Sequence, residues 1–297
     1  MTHEKLRFWV LVAMSAVFLA GCQRPLELHV PEVKPVAVYR DVVPGKTHDT
    51  GRLTGVVQWS GSKPIVAPIR GLIDTKDGAA WGEVENPFVP EITRDNEVNG
   101  VVIQVLNPPA EITQEWLHED NLRIILFGWK TLHPTMGTSV LFTKVGREEV
   151  FSRQGQYSQI RARGASFFTR TFMSDETEHR VRFDQPGLVE FTDTGGKFWC
   201  YKRMWVCDHP YFASSDFDGS FDLGKLPSGE YDIQASIPDW RITGRDRDPE
   251  TGRVMRLHRG PDITTVQRVK IEAGKETKIM LKLSSPTVRP PADQQAP

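Results

Sequence analysis

The chain is predicted to fold as an all-β protein, and three observations predict it. Short runs rich in β-branched and aromatic residues recur along the chain, separated by glycine- and proline-containing turns. Several runs alternate at period two: Val181 and Phe183 stand against Arg180 and Arg182. Only Ile112–Asp120 reads as a helical segment, with the i,i+4 pair Ile112 and Trp116, and it is short. Many short strands with this punctuation argue for β-sandwich architecture.

Taken in order, Leu53–Trp59 carries Val56 and Val57 and ends in the turn Ser60-Gly61-Ser62-Lys63-Pro64. Val101–Leu106, Leu122–Trp129, Val140–Lys144, Phe167–Phe172, Arg180–Phe183 and Leu188–Phe191 follow as strand candidates. Toward the C-terminus come Ser220–Asp222, Tyr231–Ala235, Val266–Ile271 and Lys278–Leu283, with a turn at Ala273-Gly274-Lys275-Glu276 before the last. Asp218-Gly219 supplies a tight turn because glycine tolerates positive φ, and Phe221 and Leu223 then point inward. Leu226-Pro227-Ser228-Gly229 is a second turn, after which Tyr231 and Ile233 open the next strand.

The N-terminus reads differently. His3, Glu4, Lys5 and Arg7 precede an apolar run from Phe8 to Leu19, which is far short of the ~20 residues that span a bilayer as a helix. A charged start, a short apolar middle and small residues before a cut describe a removable export signal over residues 1–21. Leu19-Ala20-Gly21-Cys22 resembles the lipobox of bacterial lipoproteins. That resemblance implies lipidation of Cys22 through its thiol, and anchoring to a membrane without crossing it. With Gln23 next, it implies the outer rather than the inner membrane. The alternative is an ordinary export signal with an incidental cysteine. Residues 22–50, with Pro25, Pro31, Pro35 and Pro44, read as an extended tether, and the proline-rich stretch 284–297 as a disordered tail.

The run from Asp208 to Ala235 resembles the carboxypeptidase-regulatory-like (transthyretin-like) β-sandwich, with Asp216-x-x-Gly219-x-Phe221 followed by Leu226-Pro227-x-Gly229-x-Tyr231. The resemblance implies a small sandwich over residues 208–283. Upstream, Gly55-Val56-Val57, Gly61 to Pro64, Val101-Val102 with Pro108-Pro109, and Pro134 to Gly146 loosely resemble the plan of plastocyanin-like (cupredoxin) proteins, which lead into Asp-His-Pro-Tyr-Phe. Here that junction is Asp208-His209-Pro210-Tyr211-Phe212. The resemblance implies a cupredoxin-like β-sandwich over residues 51–207, followed by the smaller one.

A blue-copper site needs two imidazoles, a thiolate and a weak axial thioether. By spacing within the family pattern, the copper positions fall on Ser158, Thr194, Lys197 and Cys200, and only the family's tryptophan, at Trp199, is kept. The resemblance therefore implies a domain that has lost copper, and no cofactor is expected. It also places Cys200 and Cys207 at opposite ends of one strand, roughly 23 Å apart at seven steps, beyond disulfide reach. The alternatives are a Cys200–Cys207 bridge across a hairpin, or two reduced buried thiols.

Other chemistry has no visible constellation. The eight histidines form no His-Glu-x-x-His or His-x₃₋₅-His cluster. Ser60-Gly61-Ser62-Lys63 matches Ser-x-x-Lys but sits on a turn, and Asp216-Phe217-Asp218-Gly219 opens like a calcium loop without its later ligands. A net charge of -1 makes no electrostatic case for nucleic acid.

The stretch 238–262 is dense in arginine and reads as a long loop between two strands of the second sandwich. Arg241, Arg245, Arg247, Arg253, Arg256 and Arg259 are the candidate anion-binding residues, since guanidinium forks grip carboxylates and phosphates. The competing reading is a solvated, internally ion-paired loop. Trp240 at its root is either a contact residue or a core plug. The expected function is a membrane-anchored, non-enzymatic binding or scaffold protein of the cell envelope, with an anionic envelope polymer or protein as partner. The alternatives are copper handling or electron transfer through non-standard ligands such as Cys200, Met204, Cys207 and His209, or a binding accessory role beside an envelope carbohydrate-active enzyme.

Overall fold

Period-two burial governs β1 (Thr50–Ser60), where Leu53, Val57 and Trp59 are buried and Arg52 and Ser60 are exposed. It belongs to a computed structural model that describes residues 49–75, 78–109, 124–125, 140–152, 158–173 and 178–285. The described residues lie within one compact unit, Tyr39–Pro297, and contain no helix. The signal, Cys22, the tether as far as residue 48, the Ile112–Trp116 pair and the tail beyond residue 285 lie outside them.

A hairpin of β2 (Ile69–Thr75) and β3 (Gly78–Val84) follows, then the two-residue strands β4 (Glu91–Ile92) and β5 (Val98–Asn99), then β6 (Val102–Val105) and β7 (Ile124–Ile125). Next come β8 (Leu141–Lys144), β9 (Glu148–Ser152), β10 (Ser158–Gly164), β11 (Phe168–Phe172), β12 (Glu178–Arg182), β13 (Gly187–Asp193) and β14 (Tyr201–Cys207). The chain closes with β15 (Phe212–Ser214), β16 (Ser220–Pro227), β17 (Gly229–Ile237), β18 (Ile242–Arg247), β19 (Val254–Arg259), β20 (Ile263–Ile271) and β21 (Glu276–Ser284).

The protein is all-β, with several sheets. One is ordered β16-β1-β21, with β1 antiparallel to β16 and parallel to β21. A second runs β15-β6-β17-β20, a third β11-β10-β13-β14-β8, and a fourth β12-β9-β7. The expected division at residue 207 differs from this pairing. β1 and β6, from the first hundred or so residues, are central strands of sheets completed by β15, β16, β17, β20 and β21. The physical reason is edge satisfaction: the strands that pair along both backbone edges of each, β16 and β21 for β1 and β15 and β17 for β6, come from beyond residue 207.

Turn chemistry explains the C-terminal strands. Gly219 takes φ +70°, and an added Cβ there would meet the Val57 carbonyl at 2.7 Å. In β16 the register slips where Leu53 pairs Gly224 and Thr54 pairs Asp222. This bulge lets Phe221, Leu223 and Leu226 all reach the core despite their uneven spacing. The fourth and third sheets share an aromatic cluster: the Phe151 and Phe191 ring centroids lie 5.5 Å apart, and those of Phe168 and Phe183 lie 6.3 Å apart. Each such pair contributes about 0.5–1.5 kcal/mol beyond its buried area.

The arginine-rich stretch is not an irregular loop. Residues 242–259 form the hairpin β18–β19, from Ile242↔Arg259 to Arg247↔Val254. Asp248 turns it by accepting from the backbone N–H groups of Glu250 and Thr251. Trp240 is buried with its ring 5.6 Å from Trp59, so it plugs the core.

Candidate functional site

The cationic cleft is built by alternation on the third sheet. In β10, Ile160 and Ala162 are buried, which turns Arg161 and Arg163 to the opposite face. Register then places Arg163 opposite Glu190 of β13, and Glu190 opposite Arg203 of β14. Thr192 pairs with both Arg161 and Tyr201. One face thus carries a polar stripe across three strands, while Val189, Phe191 and Met204 bury the other. The β18–β19 hairpin closes over the stripe, leaving a cleft of about 270 Å³ between Arg163, Thr192 and Tyr201 on the sheet and Arg256, His258 and Arg259 on the hairpin.

Its floor is an ion network. Arg259 bonds Glu190 through Nη2 and Asp262 through Nη1 (2.5 Å), and Arg203 bonds the other oxygen of Asp262. Tyr201 donates its hydroxyl to Glu190 at 2.5 Å. Burial pushes the Glu190 carboxyl up, but Arg259, the Tyr201 hydroxyl and Arg203 outweigh it and hold it below the usual carboxylate range. Burial and then the Glu190 charge push the Tyr201 phenol up, so it stays a neutral donor. The Arg259 guanidinium also lies over Phe88, 5.6 Å from the ring centroid. Phe88 is itself fixed edge-on to Tyr201 at 4.6 Å, and Asn86, which accepts from the Phe88 N–H, donates to the Trp240 carbonyl.

The mouth is less compensated. Arg163 donates to the Thr192 hydroxyl at 3.1 Å, and among the described residues no carboxylate bonds Arg163 or Arg256. Burial, followed by the Arg256 and Arg161 charges, holds the Arg163 pKa below its ordinary value against the opposing pull of Asp246 and Glu190. Two guanidiniums facing each other in a half-buried cleft raise the free energy of the empty site, and an anion between them relieves it.

Of the six arginines expected to hold an anion, Arg256 and Arg259 line this cleft. Arg241 is locked onto the buried carboxylate of Asp239, Arg245 donates to the Arg70 carbonyl, and Arg247 donates to the Gly252 carbonyl. Arg253 packs beside Gly196. Sequence reasoning missed Arg163, Glu190, Tyr201 and Phe88. Period-two spacing in Arg161-Ala162-Arg163 and Glu190-Phe191-Thr192 was the available signal.

The positions matched to copper ligands lie near one end of the same sheet. Ser158 donates to the buried Asp193 at 2.5 Å, and Thr194 donates to the Gln159 side chain at 2.8 Å. The Asp193 N–H reaches the Cys200 carbonyl at 3.4 Å, and the Cys200 N–H reaches the Lys197 carbonyl at 2.8 Å. Two committed hydroxyls, an ammonium and one thiol do not fit a copper ion. Cys200 and Cys207 are buried and are not joined by a disulfide. Among the described residues no group of three or more His, Cys, Asp or Glu side chains is placed to hold a metal.

In the alternative ligand set, burial, with Asp208 adding to it, pushes the Cys207 thiol up. His209 is buried, stacks on Phe212 at 4.6 Å, and accepts the Tyr211 N–H on Nδ1. Burial lowers its pKa against the opposing pull of Asp208. Well above pH 6.5 the imidazole is neutral both folded and unfolded, so His209 adds no pH dependence there. As pH falls below 6.5 the unfolded chain takes up the proton first, and stability declines until the folded pKa is reached. The measurement is the urea midpoint from about pH 7 to about pH 5. His209→Asn is expected to flatten the decline, and an unchanged slope would assign it to other groups.

Comparison with family models, with curated proteins and with solved structures gives no match.

Proposed function

We propose that the protein is a lipid-anchored cell-envelope protein that binds an anionic envelope polymer, without catalysis, in the cleft between β10–β13–β14 and the β18–β19 hairpin. The observation that carries this reading is the facing pair Arg163 and Arg256, neither of which is hydrogen-bonded to a carboxylate among the described residues and whose charges Asp246 and Glu190 offset only in part. Phe88 and Phe198 at the cleft wall suit the apolar face of a polymer backbone. The anchor rests on Leu19-Ala20-Gly21-Cys22, and Cys22 is its attachment point. The fold identities proposed are a cupredoxin-like sandwich without copper and a carboxypeptidase-regulatory-like module. The turn spacing around Gly219 and Gly229 supports the module, and the gathering of Ser158, Thr194, Lys197 and Cys200 near one sheet end supports the cupredoxin-like part.

Two experiments test the parts separately. Cys22→Ser is expected to move the protein out of the membrane pellet and to abolish incorporation of labelled palmitate. Full retention with label would dismiss Cys22 as the anchor. For the cleft, co-sedimentation with polygalacturonate and with polyphosphate is compared between the wild type and the Arg163→Glu/Arg256→Glu double variant. The double variant is expected to stay in the supernatant, and equal sedimentation of both proteins would remove the cleft from the reading.

A further inference from the structure

His258 lines the cleft, and the register of the hairpin decides what it touches. It pairs with Gly244 across β18–β19, and its ring packs over that glycine. From there Nε2 reaches Asp246 Oδ1 at 2.7 Å, and with a carboxylate as partner Nε2 carries the proton. Asp246 in turn stands opposite Arg256 in the ladder. Its carboxyl is held below its ordinary range, first by the His258 hydrogen bond and, against the cost of burial, by the charges of His258, Arg256 and Arg163. One carboxylate is thus shared by a histidine and both arginines of the mouth. The other charged groups at this corner are Arg161 beside Arg163 on β10, Glu190 on β13 and Arg259 on β19. Glu190 is held ionised by Arg259 and the Tyr201 hydroxyl, and the arginines stay protonated. His258 is therefore the cleft residue that changes charge between about pH 5 and about pH 8.

We propose that the His258–Asp246 pair makes the cleft a proton-responsive site, which binds an anionic polymer more tightly in mildly acidic than in alkaline surroundings. This rests on the reading of the cleft as an anion site. With His258 neutral, the Asp246 charge acts on Arg256 and Arg163 and offsets part of their attraction for a ligand. With His258 protonated, the imidazolium neutralises Asp246, and the charge of both arginines is left to the ligand. Proton uptake and anion binding therefore favour one another, each raising the affinity for the other by the same factor. The side chains of His258 and Asp246 are 39% and 57% exposed, so solvent and salt screen the coupling and the response is graded.

The test is co-sedimentation of the full-length protein with polygalacturonate and with long-chain polyphosphate at about pH 8 and about pH 5.5, bracketing the histidine range, at fixed ionic strength. Circular dichroism at each pH checks that the protein stays folded. Polygalacturonate carboxylates titrate at about pH 4 and interior phosphates are strong acids, so both probes keep their charge. Wild-type affinity is expected to rise about 3- to 10-fold on going to the lower pH. His258→Gln keeps a donor for Asp246 but cannot take up a proton, and its affinity is expected to stay level. Asp246→Asn removes the shared carboxylate, and at the higher pH it is expected to bind about as tightly as the wild type does at the lower. A level wild type, or an equal rise in His258→Gln, overturns the proposal. Should His258→Gln fail to fold, Asp246→Asn decides: binding identical to the wild type at the higher pH overturns it. The Arg163→Glu/Arg256→Glu variant separates the two readings. If it no longer sediments while wild-type binding is level with pH, the cleft stands and the proton response falls. If it sediments as the wild type does, or if the wild type binds at neither pH, the cleft falls and the proton response with it.

Discussion

Replacing both Arg163 and Arg256 with glutamate is expected to weaken binding to polygalacturonate or polyphosphate by roughly 100-fold or more, about 2.7 kcal/mol. Charge-assisted hydrogen bonds contribute about 1.5–3 kcal/mol each, and reversal adds repulsion where attraction stood. The fold should survive, because neither side chain bonds a carboxylate among the described residues, and Arg163 gives up only its contact with the Thr192 hydroxyl. Two companions sharpen the expectation. Arg241→Glu and Arg247→Glu should change binding little, since those guanidiniums are engaged by Asp239 and by the Gly252 carbonyl outside the cleft. Affinity should be level from about pH 8 to about pH 9, above the range in which histidine side chains change charge and where arginine stays protonated, and should fall as salt rises. Equal losses from all four arginines would mean general surface attraction and would remove the cleft from the reading.

The largest expected loss of stability is Gly55→Val. Gly55 sits in β1 between Phe221 of β16 and Ile279 of β21. A Cβ there would lie 2.4 Å from the Ile279 carbonyl oxygen and 2.7 Å from the Phe221 ring. The first obstacle is backbone inside a ladder, so relief requires β21 to move and its pairing to β1 to break. The cost is about 3 kcal/mol, the upper end of overpacking effects, or a fall of roughly 6–12 °C in Tm for a domain of this size. Gly61→Ala is the control: its added Cβ meets nothing within 4 Å, so only the positive φ of +91° is strained and about 1–2 kcal/mol is lost. A variant at Gly55 as stable as that at Gly61 would show that β21 is not held where β1 requires it.

These two sites differ in how openly the sequence displayed them. Gly55-Val56-Val57 was legible as a strand because its apolar residues recur locally, and so was Arg180–Phe183, where Val181 and Phe183 are buried and Arg180 and Arg182 exposed. The C-terminal turns were legible because Gly219 and Ser228-Gly229 mark both ends of β16, although β16 and β17 then join different sheets. The β18–β19 hairpin was hidden. Ile242–Arg247 holds one large apolar residue, and register slips at Ile242/Gly244 and Asp246/Arg247 break the alternation that would reveal a strand. The cleft was hidden for another reason. Arg163, Glu190 and Tyr201 meet only through the pairing of three strands, and taken singly each resembles a charge on a solvated face. Arginine density therefore pointed to the hairpin, from which Arg256 and Arg259 come, but not to the sheet beneath it. The division at residue 207 followed chain order, whereas β1 and β6 find their partners far downstream.

The parallel pairing of β1 with β21, from Arg52↔Glu276 to Ser60↔Ser284, has a mechanical consequence. Tension reaching Thr50 from the upstream chain pulls β1 along its own axis. The load is therefore taken in shear, by the β21 ladder on one side and the β16 ladder on the other, rather than by unzipping bonds one at a time. Under the proposed anchoring at Cys22, the chain would therefore be loaded along the first strand, the direction in which its two ladders share the force.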